Sequence, residues 1–326
     1  MTMKKVTVWI LSLALMTLFG VSHAAASTAR QDVDAVVIAS FGTSYPEALK
    51  AILTIDKEMR KEFPEAEIKH AFTSNIIRGI WRKRADDTAW KKANPDTPAW
   101  LYEVKGPLAT FGELQEEGKK RVVVQTTHIY AGEEYLDLEA YVDAVAGIET
   151  LRAKWKPFSF MRLGRPALGK AGLHPEYHED IEEAAKTLSG DVAKAKKMGA
   201  VLVYMGHGND IFPTSMYAEF EKAMNKMYPE VTTIVGNVEG YPGLEEVEMA
   251  LKHMSVKKVY MKPFMVVAGD HARNDMAGDE DDAWKTIFEK MGIKVTCELK
   301  GLGENPAWAK LYARHAVDAV TVHTVK

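Results

Sequence analysis

The sequence predicts an α/β protein of two similar domains, each a mainly parallel sheet flanked by helices. Three observations carry that expectation. Apolar, β-branched runs alternate with longer amphipathic stretches along the chain, the pattern of a parallel sheet covered on both faces. Behind a leader-like start, roughly 300 of the 326 residues remain, enough for two domains of ordinary size. Each half opens with a strand-type run that ends in small polar residues, Ser40-Phe41-Gly42-Thr43-Ser44 in the first and Gly206-His207-Gly208-Asn209 in the second.

The elements follow in order. Lys4 and Lys5 precede an uncharged, mostly apolar run over 6–21, and small residues follow at Ser22, Ala24 and Ala26. That is the layout of a secretory signal peptide over 1–26. The run is shorter than the roughly 20 residues of a spanning helix, so the expectation is a periplasmic protein with no stable membrane association after cleavage. The first domain is expected over 27–165. It holds a strand at 34–40, a helix at 45–63 with Leu49, Ile52, Leu53, Ile55 and Met59 largely on one face, and a strand at 121–127. Pro157, Gly164, Pro166, Gly169 and Gly172 mark the boundary, and the second domain is expected over 166–326. There the spacing predicts a long helix at 174–198 and strands at 200–205, 232–238, 258–267 and 294–299. A helix at 279–291 opens with four acids, which suit the positive end of its dipole. A final helix is capped by Asn305 with Pro306 at its first position and runs to about 324.

Composition excludes several classes. The formal charge is −3 and becomes two units more negative once the leader lysines are removed, which argues against a nucleic-acid-binding surface. Cys297 is the single cysteine, so neither an internal disulfide nor a cysteine-zinc cluster can form. The His-Glu-x-x-His, Gly-x-Ser-x-Gly, P-loop and dinucleotide fingerprints are all absent,.

His207, Glu239 and His271 recur at intervals of 32 residues, each behind an apolar run. A strand-helix-strand unit takes roughly 30 residues. The spacing therefore sets one ligand-type side chain at the carboxyl end of each of three successive strands, the sheet edge where α/β proteins bind ligands. Two imidazoles and a carboxylate make a nitrogen/oxygen donor set for a divalent metal, and an ordinary imidazole, with a pKa of about 6.5, is mostly neutral near pH 7. His128 follows the run at 121–127 in the same way. Phe-Gly-Thr-Ser ahead of a helix can hold an anion on its amides. Arg78, Arg82, Lys83 and Arg84 beside Trp81 and Trp90 read first as a solvated helix face, and second as a rim for a flat polyanion, because guanidinium pairs with carboxylates and stacks on rings.

Taken together, the motifs resemble those of the anaerobic-pathway sirohydrochlorin cobaltochelatases, class II chelatases of the CbiK type. The matching segments are Ser-Phe-Gly-Thr-Ser-Tyr (40–45), Ala-Phe-Thr-Ser (71–74), His-Ile-x-x-Gly-Glu-Glu-Tyr (128–135), Met-Gly-His-Gly (205–208), Val-Glu-Gly-Tyr-Pro (238–242), Val-Ala-Gly-Asp-His-Ala-x-Asn-Asp-Met (267–276) and Gly-Leu-Gly-Glu-Asn-Pro (301–306). The resemblance implies two α/β halves with a cleft between them. It implies that His207, Glu239 and His271 hold the metal there, with His207 or His271 taking protons as the metal leaves. The implied substrates are Co(II) and sirohydrochlorin, a tetrapyrrole with eight carboxylates. Ser40, Thr43, Ser44, Ser74 and His128 would line the pocket, with Arg78 at its rim. Self-association into a homo-oligomer is also implied. Two features depart from the family, the leader and a long stretch at 81–100 that offers a contact surface. The alternatives are insertion of Fe(II) to give sirohaem, and a periplasmic metal or haem carrier on the same fold, with His70, His174 or His178 as haem ligands.

Overall fold

The computed structural model describes residues 30–211 and 215–321. The expected leader lies outside them. Two four-stranded, wholly parallel sheets share one strand order. The first comprises β1 (Ala35–Ser40), β2 (Glu67–Phe72), β3 (Arg121–Thr126) and β4 (Phe160–Gly164), in the order β2-β1-β3-β4. The second comprises β5 (Val201–Gly208), β6 (Thr233–Glu239), β7 (Lys258–Phe264) and β8 (Lys294–Cys297), in the order β6-β5-β7-β8. All six residues of the central strand β1 are buried. Its hydrophobic run is continuous because both faces are covered by helices.

Helices α1 (Leu49–Glu62), α2 (Asn75–Asp86), α3 (Thr88–Ala93), α4 (Pro107–Glu116) and α5 (Glu133–Ala146) accompany the first sheet. In α1 four of the five residues of the expected stripe, Leu49, Ile52, Ile55 and Met59, are buried. Leu53 is 40% exposed, because it lies next to Ile52 in sequence and so about 100° further round the helix. The 174–198 stretch forms two helices rather than one, α6 (Tyr177–Thr187) and α7 (Ser189–Met198), separated at Leu188. Leu188 is itself buried, and the following Ser189-Gly190 pair favours helix weakly. Helices α8 (Ser215–Met227), α9 (Leu244–His253) and α10 (Trp284–Lys290) belong to the second sheet. The last begins five residues later than the acids imply. Asp279 and Asp281 instead pair with Lys285 and Lys290.

The final helix, α11 (Pro306–Thr321), changes the domain plan. It packs on α1, β3 and β4 of the first half, so the expected second-domain span of 166–326 does not hold for its last element. Tyr312 on α11 donates a hydrogen bond of 2.8 Å to the carbonyl of Thr127, at the end of β3. One hydrophobic cluster joins Val36, Ile38 and Ile55 to Leu202, Tyr204, Phe220, Phe264, Trp308 and Tyr312. The core therefore runs through both halves.

The aromatic stretch at 81–100 folds back on its own chain. Trp81 is fully buried and meets Trp90 edge-on at 5.5 Å. The Arg84 guanidinium lies 4.7 and 4.6 Å from the two ring centroids, a cation–π arrangement. Helix α2 is thus an anchored element rather than a free basic rim.

Candidate active site

The carboxyl ends of the central strands of both sheets open into one cleft. From the first half it is lined by Ser40, Thr43, Ser44, His128, Tyr130 and Glu134, and from the second by His207, Gly208, Phe264, Asp270 and His271. The enclosed space is about 220 Å³, below the roughly 300–1,000 Å³ of a pocket that engulfs a drug-sized ligand.

His207 and Glu239 are neighbours because β5 and β6 pair in register, Gly208 opposite Glu239. Gly208 makes this possible. It has φ +77, and a Cβ there would lie 1.8 Å from the Glu239 carbonyl oxygen. Glycine is the residue that tolerates both demands. The Asn209 N–H donates to that same carbonyl at 3.1 Å. His207 Nδ1 stands 3.0 Å from the Gly208 carbonyl oxygen and 3.9 Å from Glu239 Oε2.

His271 arrives by a different route. After β7 the chain runs along 265–269, braced by the Leu302 N–H on the Met265 carbonyl (2.8 Å) and the Gly303 N–H on the Val266 carbonyl (3.0 Å). It then enters a π-helical turn, Ala272–Met276, with His271 at its start. The two imidazoles meet edge to face with centroids 4.9 Å apart, and the side chains of His207 and His271 are 36% and 35% exposed. Among the described residues no three His, Cys, Asp or Glu side chains form a ready-made metal cage. The structure brings together an imidazole pair with a carboxylate 3.9 Å from one ring.

The other wall carries His128. Its Nδ1 lies 2.6 Å from Thr126 Oγ1. Its Nε2 is buried and, among the described residues, has no partner. Burial lowers the pKa of His128 to about 4, against a raising influence from Glu134 and a lowering one from His207. Ser40 Oγ and the Tyr130 hydroxyl are also buried without partners, and both line the cleft. Burial holds the Tyr130 pKa up at about 12. Buried polar atoms are nearly always satisfied, so these three cleft-lining atoms are free to meet a ligand or water.

Two expected pocket residues lie elsewhere. Ser74 caps α2, accepting from the Ile77 N–H at 3.3 Å. Arg78 lines a separate groove with Arg82, Lys105 and Tyr102, and its guanidinium is held by the carbonyls of Phe72 and Thr73 and by Asn75. Of the histidines considered for haem, His70 bonds Asp56 at 2.8 Å and stacks on Trp100 at 4.1 Å. It is a packed structural residue. Sequence reasoning missed Glu134, which faces both the cleft and the groove. Its signal was present, an acid six residues after His128 in a matching segment.

The turn carrying His271 is tied across the cleft mouth. The Tyr45 hydroxyl donates to Asp270 Oδ1 at 2.9 Å. Arg273 pairs with Glu47 at 2.7 Å and lies over the Tyr45 ring at 4.7 Å.

Fold and cleft together define a two-lobed α/β protein with imidazoles and carboxylates gathered between the lobes. The family model described as Cobalt chelatase (CbiK) matches residues 34–321, and the chain belongs to that family. It is 30% identical over 290 residues to the sirohydrochlorin cobaltochelatase of Salmonella typhimurium, covering 88% of this chain and 97% of that one. It is 27% identical over 289 residues to the sirohydrochlorin cobaltochelatase CbiKC of Nitratidesulfovibrio vulgaris, covering 88% and 90%. Among solved structures, SirB from Bacillus subtilis with Fe3+ superposes with a TM-score of 0.56 at 11% identity, over 88% of this chain and 96% of that one. That likeness shows the shared fold.

Proposed function

We propose that this protein inserts Co(II) into sirohydrochlorin. The observation that carries the reading is the His207–His271 imidazole pair, 4.9 Å apart and opposite a wall with three orphaned polar atoms, in a chain of the cobalt chelatase family. Co(II) docks on His207 and His271, with Glu239 balancing charge. Imidazole and carboxylate donors suit a divalent ion of this series. The macrocycle enters with its reacting nitrogens at the floor and its carboxylates toward the mouth. Ser40, Thr43 and Ser44 meet it from one strand end and His128 from the next.

Metal insertion breaks two pyrrole N–H bonds, forms metal–nitrogen bonds and releases two protons. As the metal leaves the imidazoles, their freed nitrogens accept those protons, a general-base step. No electron transfer is needed, and the open dock suits a metal that departs with the product.

The test is a side-by-side insertion assay with Co(II) and Fe(II), followed by the change in tetrapyrrole absorption. Cobalt insertion is expected to be the faster. His207→Ala is expected to lower it by about 10²-fold or more without shifting the unfolding midpoint. Unchanged cobalt insertion by that variant would sink the assignment, and faster iron insertion would reassign the metal.

The leader-type segment supports an exported, periplasmic form. Mass spectrometry of the periplasmic fraction should find an amino terminus beginning after about residue 26. An intact leader on cytoplasmic protein would overturn it.

A further inference from the structure

His271 is held in a manner unlike His207. Its Nδ1 lies 2.5 Å from Asp275 Oδ2, four residues on, across the π-helical turn. His207 Nδ1 faces a backbone carbonyl at 3.0 Å. Both partners accept hydrogen bonds, so both rings carry the proton on Nδ1 and keep Nε2 as the lone-pair nitrogen. Only His271 has a carboxylate within hydrogen-bond distance of its Nδ1; Glu239 Oε2 stands 3.9 Å from that of His207. A carboxylate on the far nitrogen of a metal-binding imidazole fixes its tautomer and orientation and strengthens it as a donor.

The surroundings leave Asp275 free for this task. The nearest cation in sequence, Arg273, is committed to Glu47 across the cleft. Among the described residues, His271 is the ion-pair partner of Asp275. Ala272 and Met276 are buried and anchor the turn. The Asp275 side chain is 43% exposed, so its removal takes away less packing than loss of a core residue would, and the thermal midpoint measures what it does take away. A π-helical turn is a rare form that occurs often at functional sites. Here it sets the carboxylate directly behind the ring.

We infer that Asp275 is the positioning residue of the metal dock, holding the His271 imidazole through Nδ1 so that Nε2 is presented to the incoming ion. The inference rests on His271 being a metal ligand, as proposed above.

The experiment titrates the purified mature chain with Co(II) alone, following ligand-field absorption and heat. Parent, His271→Ala, Asp275→Ala, Asp275→Asn and the His271→Ala/Asp275→Ala double variant are compared, with the thermal midpoint of each. Asp275→Ala is expected to weaken Co(II) binding about 10–100-fold, the usual consequence of losing such a partner, with the midpoint unchanged. Asp275→Asn keeps the shape and an acceptor oxygen but not the charge, and should fall between. If the alanine variant does not fold, the asparagine variant supplies the reading. The double variant should bind no more weakly than His271→Ala, because Asp275 acts through that ring. Parental affinity in both Asp275 variants would overturn the inference, as would additive losses in the double variant. Parental affinity in His271→Ala would instead overturn the ligand assignment itself.

Discussion

His128 shows how far a single residue's behaviour is set by its surroundings. Burial favours its neutral form and lowers its pKa to about 4, against about 6.5 in an unfolded chain. Between those values the unfolded chain binds a proton that the folded one refuses, so folding stability falls as pH drops from about 6.5 to about 4. Above the window His128 adds no pH dependence. Equilibrium unfolding in urea at a series of pH values should show this slope, and His128→Gln should flatten it. A slope identical in the variant would show that other groups, such as the buried His315, carry the effect. Several of these residues were legible from the sequence, because a histidine or glutamate directly behind an apolar run must emerge at a strand end. Ser74 and Arg78 were misplaced for a related reason. They follow β2, but the chain turns into α2 at once, and both side chains are used by that helix and its approach. Asp275 could not be singled out, since its partner depends on the winding of one turn.

At the level of elements, all four strands of the second sheet and the two central strands of the first read clearly, and the edge strands of the first, β2 and β4, did not. β2 and β4 carry Lys69, His70 and Arg162 on partly exposed positions, which breaks the apolar run that marks a strand covered on both faces. The α6–α7 break at Leu188 escaped notice because charge and alanine content continue across it. A second elemental feature has a measurable consequence. Arg165, just beyond β4, makes a two-pronged pair with Asp180 on α6 (2.5 and 2.9 Å) and reaches Asp318 on α11 at 2.8 Å. His315 Nε2 lies 3.1 Å from Asp180. The Arg165 and Asp180 side chains are 4% and 1% exposed. Removing one partner of a buried pair costs about 3–5 kcal/mol. Asp180→Ala should lie near the lower end, since Asp318 still faces Arg165. Chemical denaturation would measure it, and a loss below about 1 kcal/mol would contradict the pinning of three elements by this cluster.

For the whole molecule, the two halves repeat one strand order, yet they do not form separable bodies. The final helix belongs to the first half by contact, and the main hydrophobic cluster includes residues from both sheets. A hydrophobic cluster shared by both halves should couple their unfolding into one cooperative step,. Tryptophan fluorescence and far-ultraviolet circular dichroism should therefore report coincident denaturant transitions. Two resolved transitions would show that the halves fold independently. Chain order and hydrophobic periodicity alone determined the fold class, the parallel sheets and the strand ends that present His128, His207 and Glu239, because each of these is a local property of strand and helix repeats. His271 was expected at a strand end too, but β7 stops at Phe264 and a π-helical turn carries it. The resemblance of short motifs determined the family. Only the tertiary structure decided that the last helix crosses back, that the two imidazoles meet edge to face, and that Asp275 lies behind His271. Those facts depend on contacts between segments far apart in the chain, or on the exact winding of a turn, and neither leaves a periodic trace in the residues themselves.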